Sequence, residues 1–70
     1  MDHNGHDIEV SVRAVSGGWI ADVVITYNEK GKSMRERLPV DQTFANPNDA
    51  EQRGIEYAKK WIDNRVSNMR

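Results

Sequence analysis

The sequence predicts an α+β domain in which a three-stranded antiparallel β-meander packs against one C-terminal α-helix, in the order β-β-β-α. Apolar and polar residues alternate through residues 8–38, as in strands with one buried face. Apolar residues then recur at helical spacing from Pro47 onward. A chain of 70 residues has room for one domain with a single small core.

Three segments have strand character, and glycine-containing turns separate them. Residues 8–14 alternate cleanly, and residues 16–18 form the first predicted turn. Residues 19–27 are rich in β-branched and aromatic side chains on both faces, which favours a central strand. Residues 28–31 form the second turn. Residues 32–38 carry more charge, as expected of an edge strand.

The third strand should end at Pro39, which has no N–H for the sheet. Phe44 in the following loop is expected to close the end of the core. Asn46 can cap a helix predicted over residues 47–66. One side of this helix is apolar, and its glycine, Gly54, suggests close approach to the sheet. The apolar side consists of Ala50, Gly54, Ile55, Tyr57, Ala58, Trp61, Ile62 and Val66.

The predicted domain occupies most of the chain. Residues 8–67 form the single β-β-β-α domain. Residues 1–7 contain no apolar side chain after Met1 and are expected to form a flexible tail. Residues 68–70 are expected to fray. No internal repeat or linker divides the sequence.

Composition excludes several classes of function. The absence of cysteine excludes disulfides, thiolate zinc sites and cysteine nucleophiles. No apolar stretch is long enough for a membrane helix, and the polar N-terminus is unlike a secretory signal, so we expect a cytoplasmic protein without a membrane partner. Both histidines precede residue 8, which leaves the hydroxyl groups of the domain without a nearby base. We therefore expect no enzyme activity and no cofactor.

The sheet face opposite the helix is the predicted binding surface. If the helix covers the face that contains Val23 and Ile25, then Ile20 and Val24 point away from it. Together with the arginines of that face, these two residues are candidates for binding a protein partner or for forming a homodimer. The candidate residues are Ile20, Val24, Arg13, Arg35 and Arg37. Cross-strand pairing with Glu9 and Asp22 is an alternative role for the arginines.

Several motifs resemble the plant ethylene-response-factor DNA-binding domain. They are residues 18–23 (Gly-Trp-Ile-Ala-Asp-Val), residues 30–32 (Lys-Gly-Lys), Phe44, and a helix beginning near residues 49–51. Phage integrase arm-binding domains are similar in topology. The resemblance implies a nucleic-acid site on the sheet formed by Arg13, Trp19, Arg35 and Arg37. A net charge of -1 provides little attraction to nucleic acid, so a protein partner is the preferred prediction.

The whole chain also resembles short uncharacterised β-β-β-α proteins of proteobacteria. Its size, its order of elements and its helix pattern Ala-x-x-x-Gly-Ile-x-x-Ala-x-x-Trp-Ile, which begins at Ala50, carry this resemblance. It implies a domain of unknown function.

The first three residues offer a metal-binding alternative. Met1-Asp2-His3 resembles the amino-terminal copper and nickel motif. In that motif the amine, two deprotonated amides and the imidazole give a square-planar nitrogen set, which suits Cu(II) and Ni(II). His3 is therefore the candidate metal ligand, and His6 could add a weak contact.

Overall fold

The structure is a computed structural model that describes residues 1–68. One antiparallel sheet with the strand order β1-β2-β3-β4 packs against a single helix, α1. The predicted α+β class is confirmed, but the sheet has four strands where three were expected. The elements are β1 (Asp2–His3), β2 (His6–Val15), β3 (Gly18–Glu29), β4 (Lys32–Pro39) and α1 (Pro47–Asn68).

The additional strand, β1, lies in residues 1–7, where a tail was expected. Asp2 pairs with Asp7 and His3 pairs with His6. Between them, Asn4 and Gly5 have φ angles of 50° and 79°, as a two-residue type I′ turn requires. The N–H of Ile8 donates to the carbonyl of Met1 at 2.7 Å, which extends the hairpin by one pair. The predicted strand count was wrong because β1 is held by the Asn-Gly turn and by polar contacts, which a polar composition does not exclude.

Gly18 is a position where the fold requires glycine. Its φ is 147°, and a Cβ atom there would collide with the carbonyl oxygen of Phe44. Next to it, the N–H of Trp19 donates to that oxygen at 2.9 Å, and the N–H of Phe44 donates back to the Trp19 carbonyl at 2.8 Å. The backbone of Phe44 is thereby fixed to the start of β3, and its side chain is half-buried.

The helix begins where the sequence predicts. The Oδ1 atom of Asn46 accepts a hydrogen bond from the N–H of Asp49 at 2.8 Å, which caps the first turn. The helix continues to Asn68, beyond the predicted end at Val66. Asn68, which was expected to fray, is thus its last described residue, and Met69 and Arg70 lie outside the described residues.

The core lies between α1 and the central strands. The helix contacts β2 and β3, and Gly54 lies at the closest approach. A Cβ atom on Gly54 would lie 2.9 Å from Cγ1 of Val10 and 3.3 Å from Cγ2 of Val23. The predicted close approach is confirmed. The buried apolar side chains are Ile8, Ala21, Val23, Ile25, Tyr27, Ala50, Ala58 and Ile62.

Candidate binding face of the sheet

The side of the sheet that faces away from α1 is called here the open face. Side chains alternate along each strand, so the neighbours of the buried residues point to this side. Within residues 1–68, no helix or strand lies over it. Its principal side chains are Asp7, Glu9, Ser11 and Arg13 on β2, Ile20, Asp22, Val24 and Thr26 on β3, and Arg35 and Arg37 on β4.

The strand register arranges these side chains in rows across the sheet. One row contains Asp7, Thr26 and Arg35, because Asp7 pairs with Thr26 and Thr26 pairs with Arg35.

The next row has the same charge order and contains Glu9, Val24 and Arg37. Each of the two rows therefore runs from a carboxylate on β2, through a neutral residue on β3, to an arginine on β4. Over these two rows, the open face has an acidic side and a basic side, separated by Val24 and Thr26.

Part of this charge is already paired within the chain. Nε of Arg13 lies 3.4 Å from Oδ2 of Asp22, so the cross-strand alternative is realised for this arginine. The N-terminal amine lies 3.4 Å from Oδ1 of Asp7, and both groups remain well exposed.

Glu9, Arg35 and Arg37 are exposed and have no ion pair within residues 1–68. These three residues are the charged groups of the open face that are free to contact another molecule.

Ile20 and Val24 lie on the open face, as predicted, but they are half-buried. Long side chains on the neighbouring strands flank them, since both residues belong to the central strand β3. Val24 forms the floor of a shallow open recess of about 370 Å³ between Arg35 and Arg37. A second depression, of about 760 Å³, lies beside Ile20 and reaches the loop that follows Pro39. The apolar part of the face is therefore a narrow strip formed by Ile20 and Val24, with the Asp22 side chain between them.

The structure separates some of the residues expected in a nucleic-acid site. Arg35 and Arg37 lie together on β4, whereas Arg13 lies on β2 and is paired with Asp22. Trp19 has the strand parity of Ala21 and Val23, which places it on the side of the sheet that faces α1. A basic cluster that includes Trp19 does not form on the open face.

The candidate metal ligand, His3, contacts the helix. Nε2 of His3 lies 2.8 Å from Oδ1 of Asp63, which also accepts a hydrogen bond from Nδ2 of Asn4 at 3.1 Å. The square-planar nitrogen set would require the amides of residues 2 and 3 to turn toward one ion, so it requires β1 to leave β2. Among residues 1–68, no three His, Asp or Glu side chains form a metal-binding group.

A cluster of ring and cation contacts joins the β1 end of the sheet to the helix. His6 is buried, and its ring lies 4.9 Å from the ring of Tyr27. The guanidinium of Arg65 lies 4.3 Å from the centre of the Tyr27 ring, and its Nη2 lies 3.0 Å from Oε1 of Glu29. The sequence prediction missed this cluster, although His6 shares the parity of the buried residue Ile8.

The fold and its open face define a small α+β domain with a one-sided core. The chain belongs to the family described as "Domain of unknown function (DUF6566)", whose model matches residues 1–70. No curated protein and no solved structure matches the chain. The family therefore assigns no specific function. No helix in residues 1–68 combines the length and the apolar character needed to cross a membrane.

Proposed function

We propose that this chain is a small non-catalytic binding module that contacts another protein chain through the open face. The arrangement of that face carries the proposal: a narrow apolar strip on β3 lies between free arginines on β4 and carboxylates on β2. Such a combination of an apolar centre and a charged rim of both signs is typical of surfaces that bind protein.

The charge balance of the open face favours a protein over nucleic acid. Three arginines lie on the face with four carboxylates, those of Asp2, Asp7, Glu9 and Asp22. Surfaces that bind nucleic acid gain most of their affinity from an excess of positive charge along the phosphate backbone. A face without this excess would attract phosphate weakly, and its carboxylates would repel it.

Both histidines make contacts within the chain. His3 is bound to Asp63, and Nδ1 of His6 lies 2.9 Å from the carbonyl oxygen of Asn4. Because a carbonyl can only accept, this contact holds the proton of neutral His6 on Nδ1. Both rings serve contacts that join β1 to the rest of the domain.

Photo-crosslinking in the cells that naturally produce the chain tests the proposal. A photoreactive side chain replaces Thr26 on the open face or, as a control, Gln52 on the exposed side of α1. We expect a protein adduct from position 26 that resists nuclease, and none from position 52. The added substitution Val24→Asp should abolish that adduct, because it places a charge in the apolar strip. A nuclease-sensitive adduct would instead support the nucleic-acid function, and equal adducts from both positions would contradict the proposal.

A further inference from the structure

We infer that the partner of the open face is a second copy of this chain, packed face to face about a two-fold axis parallel to β3. This inference rests on the proposed function and specifies the occupant of the face. It follows from the order of charges in the two rows described above.

A two-fold axis parallel to the strands places β4 of one copy over β2 of the other and leaves each row at the same height. Arg37 of one copy then faces Glu9 of the second copy. Arg35 likewise faces Asp7 of the second copy. Val24 and Thr26 face their own counterparts near the axis. By symmetry, each of the two pairings occurs twice, so the face is complementary to itself.

Other symmetric arrangements bring like charges together. An axis in the plane of the sheet but perpendicular to the strands would place β4 over β4, with Arg35 near Arg37 of the second copy. In another arrangement, the β4 edges of two copies pair as antiparallel strands. Paired residues must share a face, so an arginine of one copy then lies opposite or beside an arginine of the other copy. Like charges at an interface are unfavourable. The charge pattern therefore selects the axis parallel to β3.

The acidic residue nearest the axis is neutralised within its own chain. Asp22 lies on β3 and would approach its counterpart, but Arg13 is paired with it at 3.4 Å. Asp7 is close to the N-terminal amine at the same distance, so we expect the pair between Glu9 and Arg37 to contribute more.

The dimensions of the face predict a weak dimer. Three strands about 4.8 Å apart, with about ten residues at roughly 3.4 Å each, give a face of about 490 Å². Two such faces bury about 1,000 Å², which is at the low end for specific interfaces. Association therefore needs to be measured by sedimentation equilibrium up to roughly 1 mM chain.

Two complementary charge-reversed variants test the arrangement. The first carries Arg35→Glu and Arg37→Glu, so its face is acidic on both sides. The second carries Asp7→Arg and Glu9→Arg, so its face is basic on both sides. We expect each variant alone to dimerise at least about tenfold more weakly than the unmodified chain. We expect an equimolar mixture of the two to recover dimers that contain one chain of each kind.

A matched control reverses two charges on the exposed side of the helix. The variant with Arg53→Glu and Lys60→Glu should dimerise like the unmodified chain, because both residues lie on α1. Circular dichroism checks the folding of every variant. If a reversed variant does not fold, Glu9→Gln and Arg37→Gln replace it, and each should weaken the dimer at least about threefold.

The inference is overturned if the unmodified chain stays monomeric over the whole concentration range, or if the mixture fails to recover the dimer. In that case a nuclease-resistant adduct between position 26 and a different protein would still support the proposed function. If that adduct is also absent, both the proposed function and the dimer inference are contradicted.

Discussion

Gly18 shows how a single residue depends on contacts that are distant in the sequence. The sequence signal at residues 16–18 was sufficient to predict a turn. It could not predict that the carbonyl of Phe44 packs against Gly18, because that contact depends on the path of the loop after β4. The glycine therefore serves both the backbone conformation of the turn and the contact with Phe44.

Replacement of Gly18 by alanine should lower the free energy of unfolding by about 2–3 kcal/mol. Alanine would be strained at this positive φ, and its Cβ would collide with the carbonyl oxygen of Phe44. Gly31 is the matched control, because its φ is 80° but a Cβ there would meet no atom within 4 Å. Gly31→Ala should cost only about 1 kcal/mol. Urea denaturation measures both values. Equal costs for the two variants would show that the contact with Phe44 does not matter.

At the scale of elements, the β1 hairpin depends on both local and distant contacts. A flexible tail was expected here, although the Asn-Gly turn and the alternation that continues back from Ile8 to His6 are both signals of a hairpin. Its attachment to the helix could not be predicted, because His3 and Asn4 meet Asp63 only after the whole chain has folded. Because β1 is an edge strand of only two residues, its pairing with β2 is marginal without such an attachment.

Asp63→Ala should release β1 without unfolding the domain, because it removes the acceptor shared by His3 and Asn4. The amide of Ile8, which bonds to the Met1 carbonyl, should exchange with solvent at least about tenfold faster. Amides of the central strand β3 should keep their protection. Asn64→Ala, a neighbouring substitution on the exposed side of α1, should leave Ile8 unaffected. Unchanged exchange at Ile8 in the Asp63 variant would contradict the attachment.

The packing of α1 on the sheet makes a second prediction for an element. Alanine favours helices by roughly 1 kcal/mol over glycine. At position 54, however, the added Cβ would press on Val10 and Val23, and overpacking of a core costs about 1–3 kcal/mol. Gly54→Ala should therefore reduce the stability by about 1 kcal/mol, whereas Asn64→Ala on the exposed side should increase it slightly. A stabilised Gly54→Ala variant in thermal denaturation would show that the sheet can move away from the helix.

The whole molecule is long and narrow, with principal extents of 41 × 20 × 18 Å. Its radius of gyration of 13.0 Å exceeds the roughly 11 Å expected for a compact domain of this length. The single helix covers one side of the sheet, and within residues 1–68 no element covers the open face.

The sequence was sufficient to predict which residues share the open face, because strand alternation assigns Ile20, Val24 and the three arginines to one side. It was not sufficient to predict the rows. The alignment of Glu9 with Val24 and Arg37 depends on the register of two hairpins, and β3 continues to Glu29, beyond the predicted end of its strand. The pairing of Arg13 with Asp22 was correctly given as an alternative, since the two residues lie on neighbouring strands of one face.

A dilution series of amide ¹⁵N–¹H correlation spectra tests the central claim, self-association through the open face, most directly. Spectra of the unmodified chain are recorded from roughly 1 mM down to about 10 µM. We predict concentration-dependent shifts at the amides of Glu9, Val24 and Arg37, while those of Gln52 and Lys60 on the exposed side of α1 stay constant. Shifts confined to α1, or spectra that do not change across the series, would contradict the claim.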